Sequence, residues 1–256
     1  GYYAAKKRLF ISGCPDRSVI GVDEFEGKLL AQELADHLHD DRIIRVSGSR
    51  KITNLGWAIF ANKGFLSEYR RGKQVASLDL RKCNSLKGSH NHQNACAAYA
   101  AVRSLGIGPR SVEKALKSFT GLAHRSQLVA EINGVVFIND SKATNVDSAM
   151  KALETFPKIR WICGGELKEK NISRLNNMVK NVKKAYVIGT NTAEFSSQIS
   201  CKFEICNTMD IAVKNAFKDA KKGETILLAP AAASFDQFSS FEERGKAFEC
   251  EIKKLK

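Results

Sequence analysis

No apolar stretch in this 256-residue chain approaches the roughly 20 residues needed to cross a bilayer, and its first residues do not read as a signal peptide. The seven cysteines, Cys14, Cys83, Cys96, Cys163, Cys201, Cys206 and Cys250, are odd in number and form no C-x-x-C pair. That spacing argues against a disulfide framework or a zinc cage. Settings such as Ile162-Cys163 and Ala95-Cys96-Ala97 suit reduced core thiols of a cytoplasmic protein. There is no basic helix with interleaved aromatics. The net charge of +14 is spread over the chain, so neither nucleic acid nor a membrane is an expected partner, and a monomer is expected. Internal repeats and low-complexity segments are also missing. So is the phosphate-cradling pattern G-x-x-x-x-G-K-[ST], because Ser47-Gly48-Ser49-Arg50-Lys51 lacks its spacing.

What is present is a hydrophobic share of 43% and a charged share of 27%, on a length sufficient for two ordinary domains. The chain opens on Gly1, already inside a helical pattern over Tyr2–Phe10. The expectation is that the natural protein continues upstream. Ser18–Val22 reads as a strand and Glu24–His39 as an amphipathic helix. The runs Ile43–Val46, Gly56–Ala61, Phe65–Tyr69 and Gln74–Leu80, broken by Asn62-Lys63-Gly64 and Arg71-Gly72-Lys73, read as antiparallel hairpins. Helices are expected over Asn91–Leu105 and Arg110–Phe119, followed by a break at Thr120–Arg125. The boundary is placed there, giving domains 1–125 and 126–256.

Beyond the break the grammar becomes strand–helix alternation. A hairpin around Asn133-Gly134 is followed by helix Val146–Thr155, strand Ile159–Cys163, helix Ile172–Val182 and strand Ala185–Ile188. Helix Thr192–Ile199, strand Phe203–Ile205, helix Met209–Ala220, strand Thr225–Leu228 and helix Phe241–Leu255 complete the order. This predicts an α/β, Rossmann-like, doubly wound and mostly parallel sheet, whose ligands bind outside the carboxyl ends of the strands. Asp140, Gly164-Gly165 and Ala229-Pro230 all fall at such ends.

The most informative stretch is Asn139-Asp140-Ser141-Lys142-Ala143-Thr144-Asn145, where a buried strand breaks into a polar loop with Asn145 as the N-cap of a helix. Free N–H groups at that helix start, with the Lys142 charge, make an anion site. On local pattern alone a capped turn with a solvated lysine is the favoured reading, and the neighbouring strand ends shift it toward a site. Earlier, Asn91 and Asn94 stand one turn apart on a helix and can present amides on one face. His90 and His92 are not at ligand-pair spacing, which excludes zinc.

Together these motifs resemble the Mur ligases, the ATP-dependent amide-forming enzymes of peptidoglycan precursor synthesis. The resemblance is carried by Ser89-His90-Asn91-x-x-Asn94-x-x-Ala97-Ala98, by His124-Arg125 after Gly121, by Asp140–Asn145, and by Ala229–Phe238 with Phe241-Glu242-x-Arg244-Gly245. The Asp140–Asn145 loop is similar to that of the D-glutamate-adding branch. The resemblance implies that residues 1–125 are the C-terminal part of a central ATPase domain and that 126–256 bind D-glutamate. The activity implied is ATP-dependent addition of D-glutamate to UDP-N-acetylmuramoyl-L-alanine through an acyl phosphate.

It also implies roles. Lys6, carbamylated, and His90 would serve Mg²⁺, with Lys6, His90 and Lys142 at the chemistry. Asn91, Asn94, Arg125 and Asp140 would hold ATP. Lys142, Thr144, Lys168, Ser234, Phe235 and Phe241 would hold D-glutamate. Because the phosphate loop and a UDP-binding domain are missing from these residues, the chain alone is expected not to turn over ATP. A non-catalytic or split binding module derived from such a ligase is the alternative.

Overall fold

The computed structural model describes residues 1–11, 16–37 and 42–255. The chain forms two units, Gly1–Thr120 and Gly121–Lys256. The division falls before Gly121 rather than after Arg125, so His124 and Arg125 belong to the second unit.

The first unit runs α1 (Tyr2–Ile11), β1 (Ser18–Gly21), α2 (Phe25–His37), β2 (Ile43–Ser47), β3 (Trp57–Asn62), β4 (Phe65–Arg70), β5 (Lys73–Asp79), α3 (Ser89–Ser104) and α4 (Pro109–Ser118). Its sheet has the order β1-β2-β3-β4-β5. The reading of Ile43–Val46 as part of a hairpin is corrected here. β2 pairs parallel to both β1 and β3, and antiparallel pairing begins only at β3–β4. The reason is burial on both faces. Ile43 joins the cluster under α2, with Ile20, Leu30 and Leu34, whereas Ile44 and Val46 join the cluster under α3. A strand covered on both sides loses the polar alternation that marks a hairpin strand. Of the expected helix Glu24–His39, Leu38 and His39 lie outside the described residues, as does Cys14.

The second unit runs β6 (Gln127–Ile132), β7 (Val135–Asn139), α5 (Val146–Thr155), β8 (Ile159–Gly164), β9 (Val182–Ile188), α6 (Thr192–Ser196), β10 (Phe203–Asn207), α7 (Met209–Asp219), β11 (Thr225–Leu228) and α8 (Phe241–Lys253). The sheet order is β10-β9-β8-β11-β7-β6, and β6 alone is antiparallel to its neighbour. Asn133 and Gly134 both take positive φ, +54° and +75°, as a two-residue hairpin turn requires. Alternate strand residues feed two cores. Trp161, Cys163 and Leu227 pack beneath α5 and α6, while Ile162, Ile226 and Leu228 pack beneath α7 and α8. The sheet is therefore doubly wound, as its strand–helix grammar implied.

Two helix expectations need correction. Ile172–Val182 is not a helix but two short 3-10 turns, Ser173–Asn177 and Val179–Asn181, and Val182 already opens β9. Here polar side chains compete for the backbone. Asn171 accepts from the Ser173 N–H, the Gln198 side chain accepts from the Ile172 N–H, and Asn176 bonds both the Gln198 carbonyl and the Ser200 N–H. The helix expected over Thr192–Ile199 stops at Ser196. Among the described cysteines, Cys83, Cys96, Cys163 and Cys206 are buried, and all six are free. No helix among the described residues is long and apolar enough to cross a membrane.

Candidate functional site

β8, β11 and β7 lie side by side, so the loops at their carboxyl ends meet. The Asp140 N–H donates to the Leu228 carbonyl at 2.8 Å, and the Ala231 N–H donates to the Ala143 carbonyl at 2.9 Å. The Gly164 N–H reaches the Pro230 carbonyl at 2.9 Å. Glu166 and Ala233 exchange both backbone hydrogen bonds, at 3.0 and 2.8 Å. Gly165 is required at this seam. It has φ +126°, and a Cβ there would sit 2.3 Å from the Ala233 carbonyl oxygen. From below, the fully buried Trp161 donates its indole N–H to the Ala229 carbonyl at 2.8 Å.

A buried arginine clamps two of these loops. Arg244 lies on the apolar stripe of α8 with Phe248 and Ile252 and is 1% exposed. Its Nε donates to Ser141 Oγ, its Nη2 to the Ser141 carbonyl, and its Nη1 to the carbonyls of Ala232 and Ala233, all within 3.1 Å. No carboxylate is among these partners. Burial pulls its pKa down to about 10, with the charge of Asp236 opposing.

The structure brings several expected residues onto this frame. Asn145 caps α5 by accepting the Ser148 N–H at 2.9 Å. The Lys142 ammonium stands over the Phe241 ring, 3.8 Å from its centroid, which places a cation beside an aromatic at the start of α8. Thr144 is half-buried behind it. Ser234 is buried, and its carbonyl accepts the Phe238 N–H at 2.8 Å. Lys168 is exposed and follows the Glu166–Ala233 seam. Phe235 and Arg125 are also exposed.

Asp140 is half-buried and accepts the Ser126 N–H at 3.1 Å. Desolvation pushes its pKa up to about 6, against the Ser126 hydrogen bond and the Arg125 charge. A raised carboxylate pKa means that the folded state holds a proton the unfolded chain releases. The Asp140 contribution is therefore fully present at low pH and is lost as pH rises through about 6. Asp140→Asn, which mimics the protonated form, is expected to raise the melting temperature above that pH. The gain should shrink toward pH 4, and thermal scans at the two pH values check it.

Sequence reasoning assigned no role to Arg244 or Asn139 and read His124 only as part of the break between the domains. Asn139 is fully buried at the end of β7. Its Oδ1 accepts the Ser141 N–H, and its Nδ2 faces His124 Nδ1, the Gly245 carbonyl and Glu249 Oε1 at 2.9–3.1 Å. The available signal was polarity in apolar places: an amide closing an apolar strand, and an arginine three residues after Phe241 on a buried helix stripe.

In the first unit the expected residues are more dispersed. Lys6 is exposed on α1, with its ammonium 4.5 Å from the Tyr2 ring centroid. His90 and Asn91 are half-buried on the first turn of α3, where the Asn91 amide donates to the Lys87 carbonyl at 2.8 Å. Asn94 lies on the wall of an open apolar crevice of about 410 Å³ between α3 and α4, with Leu86, Ala98, Val102, Ile107 and Phe119. Asn91 and Asn94 thus do different things. Among the described residues there is no group of three or more His, Cys, Asp or Glu able to hold a metal ion. These residues alone do not supply the oxygen shell that Mg²⁺ takes.

The loops at the adjacent carboxyl ends of this doubly wound sheet lie where such sheets bind their ligands. Residues 124–232 match the family model described as Mur ligase, glutamate ligase domain. That stretch of the chain is similar to the glutamate ligase domain of the Mur ligases. The chain is 58% identical over 254 residues to the UDP-N-acetylmuramoylalanine--D-glutamate ligase of Ruegeria pomeroyi, an alignment covering 99% of this chain and 54% of that protein. The chain thus spans about half the length of the curated relatives it matches. Among solved structures, the fold is shared with MurF ligase from Thermotoga maritima in complex with ADP (16% identity, TM-score 0.66, covering 99% of this chain and 58% of that one). It is also shared with a pseudomurein peptide ligase type C from Methanothermus fervidus (15% identity, TM-score 0.68, covering 100% and 59%).

Proposed function

We propose that this chain carries the D-glutamate site, and part of the ATP site, of a UDP-N-acetylmuramoylalanine--D-glutamate ligase. The reaction is amide formation in two steps. ATP transfers its γ-phosphoryl group to the carboxylate of UDP-N-acetylmuramoyl-L-alanine. The amine of D-glutamate then attacks the acyl carbon and expels phosphate.

The observation that carries the reading is the mutual stitching of the loops after β7, β8 and β11, which holds Lys142, Thr144, Ser234 and the Lys168 segment on one rim. A dicarboxylic amino acid needs cations and hydroxyls converging from more than one side, and this rim offers both. In this reading Lys168, Thr144, Ser234, Phe235 and Phe241 bind D-glutamate, and Lys142 faces the acyl phosphate. Asp140 takes the ribose hydroxyls and Arg125 the phosphates. In the first unit Asn94, on an apolar wall, suits the edge of a purine, with Asn91 and His90 on the turn before it. Lys6 and His90 are on the magnesium side only in the larger assembly of ligands that these residues do not complete, so no step is assigned to the metal here.

The expected result is that D-glutamate raises the melting temperature of the 256-residue chain. At a ligand concentration a hundredfold above Kd the stabilisation is about 2.7 kcal/mol, a shift of several degrees. Equal shifts with D-glutamate, L-glutamate and chloride would remove the reading.

A further inference from the structure

The turn that precedes β6 is strained. His124 and Ser126 take φ of +61° and +44°, in the left-handed region that side chains disfavour. Such backbone persists where its surroundings over-determine it, and it clusters at functional sites. Here the surroundings are specific. The His124 N–H donates to Gln127 Oε1 at 2.8 Å, its carbonyl accepts the Lys142 N–H at 3.1 Å, and the Ser126 N–H donates to Asp140 Oδ1 at 3.1 Å. The exposed Arg125 is held between these anchors.

The imidazole of His124 is buried beneath Gly245 and edge-on to Phe241. Its Nδ1 lies 3.0 Å from Asn139 Nδ2, and which of the two donates follows from the far side of the amide. Asn139 Oδ1 accepts a backbone N–H, from Ser141, which can only donate. At the other end the Gly245 carbonyl and the Glu249 carboxylate can only accept. The amide therefore has one orientation, and its NH₂, with two protons shared among three neighbours, faces Nδ1 together with the Gly245 carbonyl and Glu249 Oε1. A proton on Nδ1 would set two donors against each other. Glu249 Oε1 lies 4.0 Å from Nδ1, beyond hydrogen-bond reach.

We propose that Asn139 is a positioning residue that holds His124 as the neutral Nε2–H imidazole and thereby fixes the strained turn presenting Arg125 beside Asp140. Its consequence for nucleotide binding rests on the function proposed above, whereas the tautomer does not. Asn139 supplies a donor group to the Nδ1 side of the ring, and the Glu249 carboxylate, bonded to the same amide, helps to orient it.

The test is long-range ¹H–¹⁵N correlation of the histidine rings in the 256-residue chain at neutral pH, with the His124 signals assigned by their loss in His124→Gln. The expected pattern is a neutral ring protonated at Nε2. In folded Asn139→Asp, where an acceptor replaces the donor, the proton should move to Nδ1 or the ring should become charged. In Asn139→Leu the Ser126 amide should exchange faster with solvent, and ADP affinity, read at that amide, should fall about tenfold through loss of one buried hydrogen bond. A wild-type ring protonated at Nδ1 or doubly protonated overturns the proposal. So does an unchanged ring in Asn139→Asp, or unchanged Ser126 exchange in Asn139→Leu. If the wild-type chain shows the expected tautomer but binds no ADP, the nucleotide reading fails while the positioning role stands.

Discussion

Arg244→Leu is expected to destabilise the second unit by at least about 3 kcal/mol, read as a fall in the midpoint of urea unfolding. Two opposing effects set the magnitude. The guanidinium makes four hydrogen bonds, to Ser141 Oγ and to the carbonyls of Ser141, Ala232 and Ala233. Hydrogen bonds to a charged group contribute about 1.5–3 kcal/mol each, and leucine removes all four, although the Ala233 carbonyl keeps the Glu166 N–H and Ser141 Oγ keeps the Phe241 carbonyl. Against this, leucine removes a charge that is expensive to bury. The fall in the arginine pKa to about 10 corresponds to a penalty of about 3 kcal/mol. The lost bonds outweigh the recovered penalty. Arg244→Lys keeps the charge but not the planar fork, so it should recover only part of the loss. Because the clamp joins the loops after β7 and β11, amide exchange should accelerate at Ala143 and Ala231, whose backbones are bonded to each other. A leucine variant as stable as the wild type would show that the clamp is not what holds these loops.

The second large effect has a sign opposite to helix propensity. Gly245 is inside α8, where alanine is the better helix former by about 1 kcal/mol. A Cβ at this position would lie 2.2 Å from His124 Nδ1, 2.8 Å from its Cε1 and 3.0 Å from Asn139 Nδ2. Neither neighbour is the loose end of a flexible chain. The imidazole is buried, and the amide is bonded on both sides. Overpacking of this kind costs about 1–3 kcal/mol, and displacing the imidazole breaks the Asn139 hydrogen bond as well. Set against the propensity gain of about 1 kcal/mol, Gly245→Ala should still lower stability by about 1–3 kcal/mol. Calorimetric melting measures it, and a melting temperature equal to or above that of the wild type would contradict the packing described.

What could be read from the chain itself was whatever depended on near neighbours. Asn145 caps α5 because a polar residue before an apolar helical repeat has few other uses, and the contact spans three residues. The strand–helix alternation after Ser126 gave the doubly wound sheet for the same reason. What could not be read depended on distant partners. The parallel pairing of β2 was hidden because both its faces are covered, so no alternation marks its neighbours. The segment after Lys170 looked helical because Ile172, Leu175 and Val179 have helical spacing, but Asn171, Asn176 and Gln198 divert its backbone into 3-10 turns. Arg244 meets Ser141 across 103 positions, and Asn139 meets Glu249 across 110. No local pattern announces either contact. The rim that gathers Lys142, Ser234 and the Lys168 segment follows from strand order, with β11 inserted between β7 and β8.

That rim is the core of the functional account, and its preference for one enantiomer tests it most directly. Isothermal titration of D-glutamate and of L-glutamate into the chain, and into Lys168→Ala, should give binding of the D form with L-glutamate at least about tenfold weaker. The alanine variant should lose about tenfold or more for D-glutamate, the value of one charge-assisted hydrogen bond. Equal affinity for the two enantiomers, or D-glutamate binding untouched by removal of the Lys168 ammonium, would contradict the account.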